Sequence, residues 1–324
     1  MTDHFTRSTP ASWTRYRNMM HSRTPATLFL AKRMKIQMTA LWSPDVVLDE
    51  VRMPRGRLLV VRDDLLPGGT KQRAIVPFLR RLSGLGFEEF IYASPFCGFA
   101  QLALASAARA ARRRCHIFCE RSPEGSGLHP LAEMARTWGA QVTLCADLTE
   151  AEERALDYSG KQPSRHKIPL GFDCPEFRGY LAQAFTTEWE KLCRKLRRLP
   201  KALWVPVGSG TFATVCRGIL SPETTLKCVN VHVLDEFDPR IRRLAAHPGV
   251  ELVAAPERFS AASRLTPPVP SNRYYDAKLW QFLLSRAEDG DVWWNIAGDG
   301  QRRKDCDTGD RPLPVELSDR QRPS

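Results

Sequence analysis

Short apolar runs and amphipathic stretches alternate along most of this chain. Residues 58–61 (LLVV) form a four-residue apolar run, the length of a buried strand. Ile75, Val76, Phe78, Leu79 and Leu82 then fall on one helical face. Residues 89–93, 115–119 (CHIFC) and 141–145 predict three more strands. Between and after them, residues 98–112, 128–138 and 148–158 predict helices, the second closing at Gly139, a residue suited to a helix end. A loop and a long helix over 179–198 follow. The pattern continues with strands at 202–206, 227–234 and 250–254, and helices at 211–220 and 238–246. A proline-rich stretch at 266–270 leads to a helix over 276–286, and a strand at 292–295 closes the series. Such alternation predicts an α/β fold of mostly parallel sheets covered by helices. No internal repeat of 20–50 residues stands out.

Composition narrows the class. The chain has 324 residues, 43% hydrophobic and 26% charged, ordinary for a globular protein and enough for two domains. No apolar run approaches the ~18 residues of a membrane span. The run at 27–31 is too short for a secretory core and is followed by Lys32 and Arg33. Nine cysteines without paired spacing and without C-x-x-C predict reduced thiols in a cytoplasmic setting and no structural zinc. The net charge of +12 is partly local. Basic runs occupy 112–114, 191–201 and 240–243, and they either attract nucleic acid or another polyanion or simply solvate helix faces. No nucleic-acid-binding motif accompanies them. The histidines, scattered on strands and near helix ends, read as packed or capping residues.

Two turn clusters carry candidate chemistry. After the strand at 58–61 come Arg62, Asp63 and Asp64, then Pro67, Gly68 and Gly69, with Thr70 as the expected N-cap. Lys71 then falls in the first helical turn, where the helix dipole disfavours a cation. The same placement, with burial, lowers an amine's pKa and suits a nucleophile or base; the plainer alternative is a solvated lysine opening a surface helix. The second cluster is WVPVGSGTFAT, residues 204–214. Small residues Gly208, Ser209, Gly210 and Thr211 between a strand and a helix leave backbone N–H groups free, an arrangement that cradles phosphate or serves as a tight turn. It lacks the Lys-Ser/Thr pair of a Walker loop.

RDDLLPGGTKQRA, residues 62–74, resembles the lysine segment of fold-type II pyridoxal-phosphate enzymes, nearest to the aminocyclopropane-carboxylate deaminase and D-cysteine desulfhydrase branch. The resemblance implies a two-domain fold similar to the tryptophan synthase β chain, with pyridoxal 5′-phosphate as cofactor and Lys71 as its Schiff-base residue. Thr70 stands where the family has Asn. Residues 208–211 resemble the family's G-S-G-G-T phosphate loop. Residues 168–184 keep the branch's skeleton at Pro169, Gly171, Gly179 and Tyr180, and Tyr275-Asp276-Ala277-Lys278 resembles its Y-E/T-G-K segment. By that likeness Tyr275 lies against cofactor and substrate, and Asp276 faces the pyridine nitrogen; its position also allows it to cap the helix it begins. WNIAG at 294–298 loosely resembles the closing H-T-G-G. One departure concerns the loop 94–101, SPFCGFAQ: the resemblance implies cofactor contacts at Ser94 and Gly98, but Phe99 replaces the asparagine that reaches the ring oxygen, a part left to Ser94 or Gln101.

The implied domains are 41–90 with 171–300 as the large cofactor-binding unit, 91–170 as the small one, a basic extension over 1–40 and a polar tail over 301–324, assembled as a homodimer. The implied activity is that of a lyase, deaminase or decarboxylase acting at the α-carbon of an amino substrate. That substrate is a small amino acid or, given the basic charge, an amino-acid-modified nucleotide or DNA base. The competing reading is a non-catalytic protein of the same fold that binds the cofactor or another phosphate ligand.

Overall fold

A computed structural model describes residues 43–298 apart from Glu124 and Ser126; the expected extension at 1–40 and tail at 301–324 lie outside the described residues. The chain forms two sheets. The first has six strands in the order β1-β2-β10-β7-β8-β9, comprising β1 (Leu48–Met53), β2 (Gly56–Arg62), β7 (Ala202–Val207), β8 (Thr225–Asn230), β9 (Val250–Ala254) and β10 (Val292–Asn295). The second has four in the order β5-β4-β3-β6, comprising β3 (Glu89–Ser94), β4 (Arg114–Glu120), β5 (Gln141–Cys145) and β6 (Arg165–Ile168). All pairings are parallel except the β1–β2 hairpin. β3 and β7 are buried along their whole length, as strands covered on both faces must be.

The helices are α1 (Gln72–Ser83), α2 (Ala100–Ala110), α3 (Pro130–Thr137), α4 (Leu148–Gly160), α5 (Pro175–Leu196), α6 (Thr211–Ile219), α7 (Pro239–Ala245) and α8 (Trp280–Arg286). The observed boundaries differ from the pattern in instructive places. β1 reads LDEVRM and β6 reads RHKI; both are sheet edges, so neither needs the apolar run by which buried strands announce themselves. α5 starts at Pro175, ahead of residue 179, because proline fits the first helical position, where no N–H partner is needed. β8 stops at Asn230, and His232 takes a φ of 64° as the chain turns away.

The start of α1 corrects the expected cap. Gly69–Lys71 is a 3₁₀ turn, Gln72 opens the α-helix, and the Thr70 side chain does not cap it. The Thr70 hydroxyl donates instead to Asp63 Oδ2 at 2.9 Å. Asp63, fully buried, also accepts from Trp294 Nε1 at 2.8 Å and from the Arg73 guanidinium at 2.5–3.1 Å. Next to it, Arg62 forks onto Asp64 with two bonds of 2.8 Å and also pairs with Asp49. The R-D-D segment is therefore an electrostatic brace that fixes the loop carrying Lys71 against β10. Removing one partner of a buried ion pair strands the other charge, at a cost of about 3–5 kcal/mol. Asp63→Ala is expected to lower unfolding free energy by about that amount in denaturant titrations, and an effect below ~1 kcal/mol would contradict the brace.

Candidate active site

The loops that leave the carboxyl ends of β2, β3, β6, β7 and β10 converge on one cavity of about 850 Å³, counting its open mouth. That is where parallel α/β sheets place ligands, because connections diverge there and helix N-termini point inward. Lys71, Gly98, Gly208, Ser209, Gly210, Thr211 and Tyr275 all line it. Two stretches 137 or more residues apart in sequence, the lysine loop and the small-residue turn, thus share one wall system.

The lysine loop is set by close approach. Gly69 has φ 60°, and a Cβ there would sit 2.4 Å from the Ile296 carbonyl oxygen. Only glycine tolerates both conditions. The Thr70 N–H donates to the same carbonyl at 3.1 Å. Lys71 is the sole charged residue among the described residues on the cavity wall. Burial lowers its pKa from 10.5 to about 8, opposed in part by the Asp173 carboxylate. Its Nζ lies 5.9 Å from the centre of the Phe172 ring, at the edge of cation–π range. Phe172 itself holds φ 60°, directly after Gly171 at φ 72°; the glycine adopts this freely, but the phenylalanine is strained, as residues often are where the backbone must serve a site.

The opposite wall is the turn between β7 and α6. Gly210 takes φ 79° and no side chain caps α6, so the first N–H groups of that helix stay available. The Ser209 and Thr211 hydroxyls lie 3.0 Å apart. Nothing on this wall is charged, so an anion there meets oriented N–H dipoles and hydroxyls, the usual phosphate cradle. Gly208 donates its N–H to the Tyr275 hydroxyl at 2.9 Å, and a Cβ on Gly208 would come within 2.8 Å of the Tyr275 ring. Gly171 closes the cradle from the other side: its Cβ would fall 2.0 Å from Ser209 Oγ.

Two expected contacts are not on the wall. Ser94 is fully buried below it, with its hydroxyl donating to the Pro95 carbonyl at 3.0 Å. Asp276 is fully buried behind residues 296 and 297. Its Oδ1 accepts from the Ile296 N–H at 2.6 Å and its Oδ2 from the Ala297 N–H at 3.0 Å. Both carboxylate oxygens, expected to face a ring nitrogen, are thus engaged by backbone N–H groups. Asp276 anchors the strand end that forms the wall, and it does not cap the 3₁₀ turn it opens. Burial drives its pKa well above the usual carboxylate value.

The cavity also contains residues the sequence did not single out. Tyr92, on β3, accepts the Gly171 N–H at 3.2 Å, and burial raises the pKa of both Tyr92 and Tyr275, keeping them neutral. Asn272 and Phe259 enter from the segment before the 3₁₀ turn Asp276–Leu279. Phe99, which the sequence did single out as the replacement of the asparagine, lines the cavity beside the lysine loop, its ring 3.1 Å from a Cβ built on Gly69. No local pattern marks Tyr92 or Asn272; one reads as strand interior, the other as loop.

No family model matches the sequence, and no curated protein matches it either. Solved structures do match the fold. Escherichia coli diaminopropionate ammonia lyase in its apo form is 13% identical over 82% of this chain and 87% of its own, with a TM-score of 0.56. The selenomethionine holo form of that enzyme gives 12% identity, 82% and 88% coverage and a TM-score of 0.57. Its complex with an aminoacrylate-PLP azomethine reaction intermediate gives 12%, 82%, 87% and 0.57. The chain thus shares the fold of these structures, an α/β fold with mostly parallel sheets.

Proposed function

We propose that this protein is a pyridoxal-phosphate-dependent lyase acting at the α-carbon of an amino substrate, with Lys71 as the residue that joins the cofactor. The observation that carries this reading is the meeting, in one cavity, of a single low-pKa amine and a charge-free anion cradle. The residues present fit the group. A phosphate is matched by the Ser209–Thr211 N–H groups and hydroxyls, an aldehyde by the Lys71 amine, and an aromatic ring by the apolar walls between them. When bound, pyridoxal phosphate withdraws the electrons left at the α-carbon as a bond to it breaks.

The chain's own contribution is positioning and proton transfer. Lys71 Nζ, with a pKa of about 8, exists partly as the free amine near neutrality and is therefore both nucleophile and base. As the sole charged side chain on the described wall, it is the group that takes a proton from the substrate α-carbon and returns it. Tyr275 holds the corner of the cradle through the Gly208 N–H, and Tyr92 holds Gly171 in the same way. Phe99, Phe259 and Leu170 give the cavity apolar walls, with Phe99 beside the lysine loop. Diaminopropionate ammonia lyase is one such chemistry on this fold.

A pH dependence follows with a definite sign. Below pH 8 Lys71 is mostly ammonium and cannot attack an aldehyde; above it the amine is free. The second-order rate of pyridoxal phosphate uptake, followed by visible absorption, is expected to rise about tenfold per pH unit up to ~8 and then level off. A rate still climbing steeply at pH 10 would show an ordinary, solvated lysine. The narrower form of the proposal places the amino acid on a nucleotide or DNA base and rests only on the +12 charge. It requires salt-sensitive binding of duplex DNA, and its absence at low salt removes that form.

A further inference from the structure

A second cavity, about 560 Å³ and open to solvent, lies on the other side of the cradle and shares Ser209 and Gly210 with the first. Its walls come from the start of α5, from α6 and from α7. They carry four arginines, Arg178, Arg217, Arg240 and Arg243, against one carboxylate, Asp173. None of the four lines the first cavity. Their states differ. Arg217 is buried, and its guanidinium donates to the carbonyls of residues 220, 221, 224 and 249 at 2.6–3.2 Å, making it a fixed charge. Arg178 gives one nitrogen to Asp173 at 2.9 Å, and Arg240 pairs with Asp238 at 3.1 Å. Arg243 is exposed, lines the cavity and acts on Asp238 only through space, with no ion pair to a described residue within 4 Å. Even with Asp238 counted, positive charge is left over in a walled space large enough for a diphosphate.

We infer that this cavity is a second anion site, built for a small phosphate- or diphosphate-bearing ligand and distinct from the cradle that faces Lys71. Guanidinium forks match phosphate oxygens in pairs, which lysines and backbone amides do not. The cradle side of the shared turn offers neutral donors, and the arginine side adds four guanidinium groups, with Asp173, Thr214 and His247 beside them. Each side of Ser209–Gly210 thus takes an anion by different means. The sites are also linked, because Asp173, the acid on the arginine side, acts electrostatically on Lys71.

The test is calorimetric titration of inorganic pyrophosphate into protein preloaded with pyridoxal phosphate, at fixed ionic strength, for wild type, Arg243→Ala and Arg240→Ala/Arg243→Ala. Arg243 is exposed and Arg240 half-buried on α7, and neither lines the first cavity, so the variants are expected to fold and to keep the visible absorption of the loaded protein. Saturable one-to-one binding, weakened about tenfold or more by Arg243→Ala and further by the double change, supports the site. Wild-type binding that is absent, or equal in all three proteins, overturns it. So does loss of the visible absorption in the variants, which would assign these arginines to the cofactor's own phosphate. Duplex DNA that binds without competition from pyrophosphate overturns it as well. If wild type takes up no pyridoxal phosphate, the same titrations on unloaded protein still decide the arginine dependence, so failure of the cofactor reading and failure of this one are separable.

Discussion

Replacing Lys71 with alanine is expected to abolish the visible absorption of protein incubated with pyridoxal phosphate and to reduce turnover of any amino substrate by at least about 10³-fold. General-base catalysis alone accounts for about 10²–10⁴-fold, and the covalent anchor is lost with the same atom. The fold should not suffer. The amine's pKa is held at about 8, below its ordinary 10.5, so the folded state disfavours the ammonium. That penalty is complete below pH 8 and fades as pH rises toward 10.5. At neutral pH the unloaded Lys71→Ala protein should therefore melt no lower than unloaded wild type. A variant that melts far lower would make Lys71 structural; a variant that keeps the absorption would move the chemistry to another residue.

Gly171→Ala carries the second large effect. The position has φ 72°, which costs an alanine about 1–2 kcal/mol. Beyond that, the added methyl falls 2.0 Å from Ser209 Oγ and 2.2 Å from its Cβ, so either Ser209 moves or the loop 170–172 does. Each movement opens the cradle and disturbs Phe172, whose ring centre lies 5.9 Å from the Lys71 amine. Pyridoxal phosphate affinity is expected to fall at least about tenfold, equivalent to ~1.4 kcal/mol. Gly139→Ala is the control: its φ is 94° with nothing within 4 Å of the added atom, so it bears backbone strain without collision. Equal behaviour of the two variants in binding would mean that the contact between Gly171 and Ser209 does not shape the site.

How much of this was legible in sequence depends on burial. β3, β7 and β10 are enclosed on both faces, and their apolar runs were visible as such. β1 and β6 lie at edges and were not. The same distinction holds at the site. Lys71 and residues 208–211 are marked by glycines, because the backbone there needs positive φ or close approach, and glycines can be read. Asp276 carries no such mark. A carboxylate next to Tyr275 is compatible with facing a ligand or facing a strand end, and only the position of Ile296, twenty residues on, decides for the latter. Tyr92 and Asn272 reach the cavity through the register of a strand and the course of a long loop, neither of which a local pattern contains. Phe99 was legible as a substitution in a motif, and the structure adds that it packs beside Gly69, next to the reactive amine.

The central claim concerns one lysine of two, among the described residues, with a similarly lowered pKa. Lys278 is also buried with its pKa lowered to about 8, but its Nζ donates to the Arg258 carbonyl at 2.8 Å and it does not line the cavity. Acidity alone does not separate them; position does. Borohydride reduction of protein incubated with pyridoxal phosphate, followed by peptide mass mapping, reads position directly. A single phosphopyridoxyl adduct on Lys71 is the predicted result, and an adduct on Lys278, or on surface lysines alone, would contradict the account.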